Sequence, residues 1–204
     1  MDILNTTVEN SINTDTFLDQ LRSQTAISHK KLEALPVSVS ITSDQVTKGE
    51  YAHYLNVMED VVASTEISVF PILEQLIPDL KARKKQQLLE NDLTFIGYKK
   101  NNYTPVFTGN YSLPFALGIL YVVEGSSLGG RFILKNIEAT LGFDENHGAT
   151  YFAGYGNKTG SYWKNFLNIL TNYEAENQHG SEIIAGAEYA FDTIYKHFAA
   201  TRSV

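Results

Sequence analysis

The chain has 204 residues, 43% hydrophobic and 19% charged, with a net charge of −7, and at this length one domain buries around 70% of its unfolded surface without staples. It contains no cysteine, which excludes disulfides, zinc knuckles and thiol chemistry and suits a reducing cytoplasm. Its one basic cluster is KARKK at 81–85, too little to displace counterions from phosphate, which argues against a nucleic-acid partner.

The opening residues are polar and acidic with no charged segment leading into an apolar one, so residues 1–14 are expected to form a flexible N-terminal arm and 15–204 a single domain. The longest apolar run, 115–123 with Gly118 inside it, is far below the ~20 residues that span a bilayer, so no membrane association is expected. Leu18, Leu21, Thr25, Ser28, His29 and Leu32 share one helical face, predicting a first helix from about Asp15 to Leu35, closed by Pro36. Residues 37–42 alternate too weakly for a strand and read as a loop or short turn. A second helix begins at Ser43 or Thr47, where Thr47 and Glu50 form a capping box, turns Tyr51, Tyr54, Leu55, Met58, Val61 and Val62 inward, and runs past Phe70 with Pro71 as a kink. Pro78 restarts the chain as a third helix, Asp79 to Tyr98, with the basic cluster on its solvated face. Turn residues fill 100–111.

Ser112 caps the next helix, which tolerates Pro114 in its first turn and stops near Leu141 and Gly142. Its interior carries Gly125, Gly129 and Gly130. Each costs about 1 kcal/mol against alanine, so the three forfeit roughly 3 of the ~5–15 kcal/mol that holds a domain together. Gly125 and Gly129 lie four apart and stack on one face, baring the backbone to another helix or to a flat ligand, and permitting a kink. The glycine-rich stretch 143–160, with Tyr151, Phe152 and Tyr155, reads as an ordered aromatic loop over the core or a pocket. Ser161 caps a helix that turns Trp163, Phe166, Leu167 and Leu170 inward, and a last helix runs from Ser181 to about Ala200. The fold class is all-α, one domain of six or seven helices.

Among five histidines, two sit in Glu-x-x-His pairs, Glu50 with His53 and Glu176 with His179. Di-iron helical bundles use that spacing to project two ligands inward. Against it, His179 abuts Gly180 in an interhelical turn, where no rigid helix would hold it. There is no phosphate loop, H-E-x-x-H or G-x-S-x-G.

Two segments, LRSQTAISHKKLE (Leu21 to Glu33) and YVVEGSSLGGRFI (Tyr121 to Ile133), occur in an order and at a separation that resemble the heme oxygenase family, its soluble bacterial members most closely. The likeness extends over most of the chain in helix order and length. It implies a heme oxygenase-like multi-helix bundle with a kinked, glycine-rich distal helix. It also implies the family's activity, in which heme, both cofactor and substrate, is opened to biliverdin, CO and iron with O2 and external electrons. A flat apolar disc with two carboxylates suits a slot between a helix offering an imidazole and one bare of side chains.

By the family's motif His29 would be the proximal iron ligand, its second nitrogen held by an acceptor that the sequence does not identify. Gly125, Gly129 and Gly130 would form the distal wall. Ser126 stands where many members carry an aspartate that organises proton-donating water, and a serine hydroxyl can also donate and accept. Arg22 and Lys135 would meet the propionates, and Tyr121 would hydrogen-bond a propionate or pack in the core. No flavin or iron–sulfur motif lies in the chain, so the electrons would come from a reductase or ferredoxin, and a bilin-accepting protein is a further candidate partner. The rival readings are a heme carrier without turnover and a di-iron helical-bundle oxidase.

Overall fold

Thr16 begins the described fold: its hydroxyl accepts the Asp19 N–H at 3.3 Å and caps α1, Phe17–Glu33. The structure, a computed structural model, describes residues 16–100 and 102–200, so the expected N-terminal arm lies outside the described residues. After α1 the chain forms α2 (Pro36–Ser40), α3 (Lys48–Ser68), α4 (Phe70–Leu73), a 3-10 turn at Leu80–Arg83, and α5 (Gln86–Phe95). Then follow α6 (Leu113–Gly125), α7 (Ser127–Leu141), α8 (Thr150–Ala153), a second 3-10 turn at Gly156–Lys158, α9 (Thr159–Asn177) and α10 (Gly180–Ala200). No strand occurs among the described residues, and the all-α expectation stands.

Several boundaries differ from the sequence reading, each for a local reason. Residues 36–40 are a helix rather than a loop, because proline's fixed φ and missing N–H suit a first helical turn and Val37 and Ile41 are buried. The Thr47–Glu50 capping box is present, and α3 ends at Ser68, with Pro71 in the first turn of α4. The helix expected over 79–98 is a 3-10 turn followed by α5; Lys84 between them is extended, and this turns Arg83 and Lys85 into the interior. The predicted aromatic loop contains α8, and α9 starts two residues before Ser161.

Two helices form the interior. From Tyr51 to Thr65, α3 is buried on nearly every side, and so is α6. Along α6 lies α10, and along α10 lies α1. The close approach of α6 and α10 needs Gly118 and Gly186, since a Cβ at Gly118 would collide with the Ile183 carbonyl and one at Gly186 with the Phe115 carbonyl. The helical stretch 113–141 has a window of mean hydropathy 1.3, long and apolar enough by composition to cross a membrane. It breaks at Ser126 and buries the charged Glu124 in ion pairs, as suits the core helix of a folded domain.

Candidate functional site

A cavity of about 700 Å3 opens between α1, α3, the α6–α7 bend, α9 and α10, within the range of small-molecule sites. Met58 and Val61 of α3, Val122 and Ile133 of the bend, and Phe191, Ile194 and Phe198 of α10 make most of its wall apolar. His29, Arg22, Tyr121, Gly125, Ser126 and Gly129 all line it, so the two segments singled out in the sequence face one space. A second hollow of about 460 Å3, near Gln24, Glu174 and Glu188, holds none of the predicted residues.

His29 stands on the open side of α1, its side chain 56% exposed, with its ring edge against Phe191 at 5.5 Å between centroids. Its Nε2 lies 3.5 Å from Glu33 Oε1, one turn on. Glu33 also lines the cavity, and it is the carboxylate beside the His29 ring, where the sequence reading had named no acceptor.

Across the cavity the expected single glycine helix is two. Ser126 Oγ donates to the Val123 carbonyl at 2.7 Å and Ser127 Oγ to the Glu124 carbonyl at 2.6 Å, and such back-bonding bends a helix. The three glycines have different surroundings. A Cβ on Gly129 would meet nothing within 4 Å, and one on Gly125 would touch Trp163 at an ordinary 3.5 Å. Gly130 points away from the cavity, where a Cβ would come 2.9 Å from the Phe152 carbonyl, so it seats α7 on α8. Helix packing and a bared cavity wall are therefore both present, at different glycines.

Arg22 lies at the mouth, its Nη1 3.7 Å from Asp19 Oδ1. Burial pushes the Tyr121 phenol up, and a hydrogen bond with Arg22 opposes this. Tyr121 also packs on Trp163, so it serves both core and cavity. Lys135 is exposed and is not part of the cavity wall.

Only half of the basic cluster is solvated: Lys81 and Lys84 are exposed, but Arg83 and Lys85 are buried against Glu124. Arg83 Nη1 donates to Glu124 Oε2 at 3.0 Å and its Nε and Nη2 donate to Asp79, each at 2.9 Å. Tyr155 donates its hydroxyl to Glu124 at 2.8 Å, and Lys85 Nζ lies 3.6 Å from Glu124 Oε1. The signal was a lone carboxylate inside an apolar helix, which demands a buried cation. The Glu-x-x-His pairs do not converge. Glu50 is spent on its capping box, His179 faces Glu182 at 3.4 Å, and no group of three metal-ligating side chains occurs among the described residues.

The family model described as heme oxygenase matches residues 15–200. Heme oxygenase PigA of Pseudomonas aeruginosa is 34% identical over 121 residues, which are 59% of this chain and 61% of that protein, so the match spans less than two thirds of the relative. The NO- and CO-bound heme oxygenase of Neisseria meningitidis superimposes with a TM-score of 0.72 at 26% identity, over 93% of this chain and 95% of that one. The heme oxygenase of Leptospira interrogans gives 0.74 at 19% identity, over 92% and 100% of the two chains, a likeness of fold.

Proposed function

The chain belongs to the heme oxygenase family, and on that premise we propose that it binds heme in the 700 Å3 cavity and opens it oxidatively to biliverdin, CO and iron. One observation carries the reading: an imidazole on α1 and a helix bared at Gly129 face each other across an apolar slot. The residues present fit the group. His29 would supply a ring nitrogen for iron, and Glu33 Oε1, 3.5 Å from Nε2, is the carboxylate placed to hold the ring, as metal-ligating histidines require. The apolar wall suits the porphyrin, and Arg22 with Tyr121 at the mouth offers hydrogen bonds to its carboxylates. Lys135, outside the wall, would reach a propionate only from the surface.

Bound there, heme supplies the iron at which O2 is reduced and the ring that is opened. The chain's own work is to orient and to exclude. Gly125 and Gly129 would leave room beside the ring, while the Trp163, Ile133 and Phe191 side chains make the wall around it apolar. Ser126 and Tyr54 are the hydroxyls facing that room from the bend and from α3. Burial pushes Tyr54 up to about 12, so it stays a donor. Electrons come from an external reductase or ferredoxin, and the reducing cytoplasm is the compartment a cysteine-free chain suits.

A carrier that holds heme without opening it is the second reading, favoured by Ser126 giving its proton back to its own helix. One experiment tests both. Hemin is added to the purified protein and the absorption spectrum followed before and after a reductant is supplied in air. A histidine-type Soret band that decays into biliverdin absorption is expected; a stable band would leave the carrier, and no band would end both. His29→Ala is expected to lose the wild-type band and turnover together.

A further inference from the structure

The cavity does not end at Ser126. Behind it a crevice of about 20 Å3 is walled by Tyr54, Lys85, Ser126, Tyr151 and their neighbours, and it shares Tyr54 and Ser126 with the large cavity. That volume holds one water, and four polar groups are there to bind it. A second crevice of about 10 Å3 is walled by Glu66, Arg83, Lys85, Glu124 and Tyr151, so Lys85 and Tyr151 border both. Glu66, half-buried on α3, accepts the backbone N–H of Lys85 at 2.7 Å, and Tyr151 and Ser126 wall the same small crevice. Glu66, Lys85 and Tyr151 thus border one crevice, and Lys85, Tyr151, Tyr54 and Ser126 the next, so polar side chains line both crevices up to the glycine wall.

We propose that Lys85 is the internal proton carrier of the site, feeding the Ser126 side of the cavity through water in the crevice it shares with Tyr54 and Tyr151. The proposal rests on the heme reading above, since reducing O2 in that cavity consumes protons. In each transfer an N–H bond of the ammonium breaks as the crevice water gains the proton, and the water passes a proton of its own to Ser126 Oγ, whose hydroxyl proton moves into the cavity. The amine regains its proton from solvent by way of the Glu66 carboxyl, and no electrons move.

Lys85 suits the task better than its neighbours. The groups facing it are Glu124 from α6, Glu66 from α3, Arg83 from the 3-10 turn, Tyr155, whose ring lies 4.3 Å from Nζ, and Tyr151 from α8. Arginine does not release a proton in this range, and burial pushes the Tyr151 and Tyr155 phenols far up. For Lys85, burial drives the ammonium's pKa down further than Glu124 and Glu66 restore it, with Arg83 adding to the fall. A poised donor near the working pH is what proton transfer favours.

The test uses the full chain, loaded with hemin, as wild type, Lys85→Met and Lys85→Arg. Both variants are expected to take up hemin with the wild-type Soret band, and both to turn over about 100-fold more slowly. The wild-type rate should fall as pH rises through the Lys85 pKa, a limb absent from Lys85→Met. Independently of turnover, the 13Cε resonance of Lys85 in the heme-free protein, assigned by its loss in Lys85→Met, should titrate below the ~10.4 of a free lysine. Wild-type rates in either variant would overturn the proposal, because arginine keeps the charge and packing yet cannot pass the proton. A Lys85 resonance titrating at or above the free value would overturn it too, even if Lys85→Met fails to fold. If wild type takes up no hemin, both readings fall; if it opens hemin whatever Lys85 becomes, only the relay does.

Discussion

Glu33 follows His29 by one helical turn, with Oε1 3.5 Å from the imidazole Nε2. Both side chains are more than half exposed, at 64% and 56%, so the pair adds about 0–1 kcal/mol to the fold. On the proposed reading its value would be to a bound metal, where the carboxylate would fix the ring and raise its basicity. Glu33→Ala should therefore leave the melting temperature of the heme-free protein nearly unchanged while weakening hemin affinity or turnover about 10–100-fold. Glu33→Gln, which still accepts a hydrogen bond, should fall between. Hemin titration beside a thermal melt separates the two effects, and a large melting shift with unaltered affinity would make the pair structural.

Two adjacent glycines should respond in opposite ways. At Gly129 a Cβ meets nothing within 4 Å, so Gly129→Leu keeps the heme-free fold and recovers up to about 1 kcal/mol of helix propensity. The new side chain fills the slot, and hemin uptake should fall at least tenfold. At Gly130 a Cβ lies 2.9 Å from the Phe152 carbonyl, so Gly130→Ala should destabilise by about 1–3 kcal/mol through overpacking, with hemin uptake kept in the folded fraction. Urea unfolding and hemin titration of both variants check the contrast.

What the sequence made legible was local. The Thr47–Glu50 capping box, the Ser112 cap and the left-handed Gly142 that ends α7 are written in neighbouring residues, and all are present. That His29, Gly125 and Gly129 line one cavity was legible because motif spacing marks them. Pairings across the fold were not. Nothing local ties Glu124 to Arg83, 41 positions away, or Tyr155 to Glu124. Periodicity carried a helix through 79–98, where burial of two cations breaks it. Gly130 was grouped with its neighbours because spacing cannot tell a wall facing a ligand from one facing Phe152.

Asp92 shows such a long-range tie. From α5 it accepts the Thr150 N–H at 2.9 Å, the Thr150 hydroxyl at 2.8 Å and the Tyr151 N–H at 2.8 Å, supplying from another helix the cap that Ala149 cannot give α8. Asp92→Asn replaces one accepting oxygen with a donor that faces N–H groups. The expected loss is about 1–3 kcal/mol in urea unfolding, with an altered near-ultraviolet dichroism from Tyr151 and Phe152. Unchanged stability and dichroism would mean that α8 is held by its aromatic packing alone.

Asp60, buried on α3, ties two distant segments. It accepts from Lys100 Nζ at 2.6 Å and from the Thr104 N–H at 2.9 Å, and His197 Nε2 of α10 lies 3.2 Å from its other oxygen. Burial pushes its carboxyl up, but hydrogen bonds from His197, Lys100 and Thr104 outweigh this and hold it below the ordinary 3.8. Because the folded value is the lower one, the unfolded chain binds more protons in acid. The stabilisation is complete above the unfolded value of 3.8 and is lost as pH falls through the folded one. Asp60→Asn should lose about 3 kcal/mol at neutral pH, leaving Lys100 partly uncompensated beside Glu59. It should also show a shallower decline of melting temperature in acid than wild type. Parallel acid limbs in the two proteins would assign the acid sensitivity to other carboxylates.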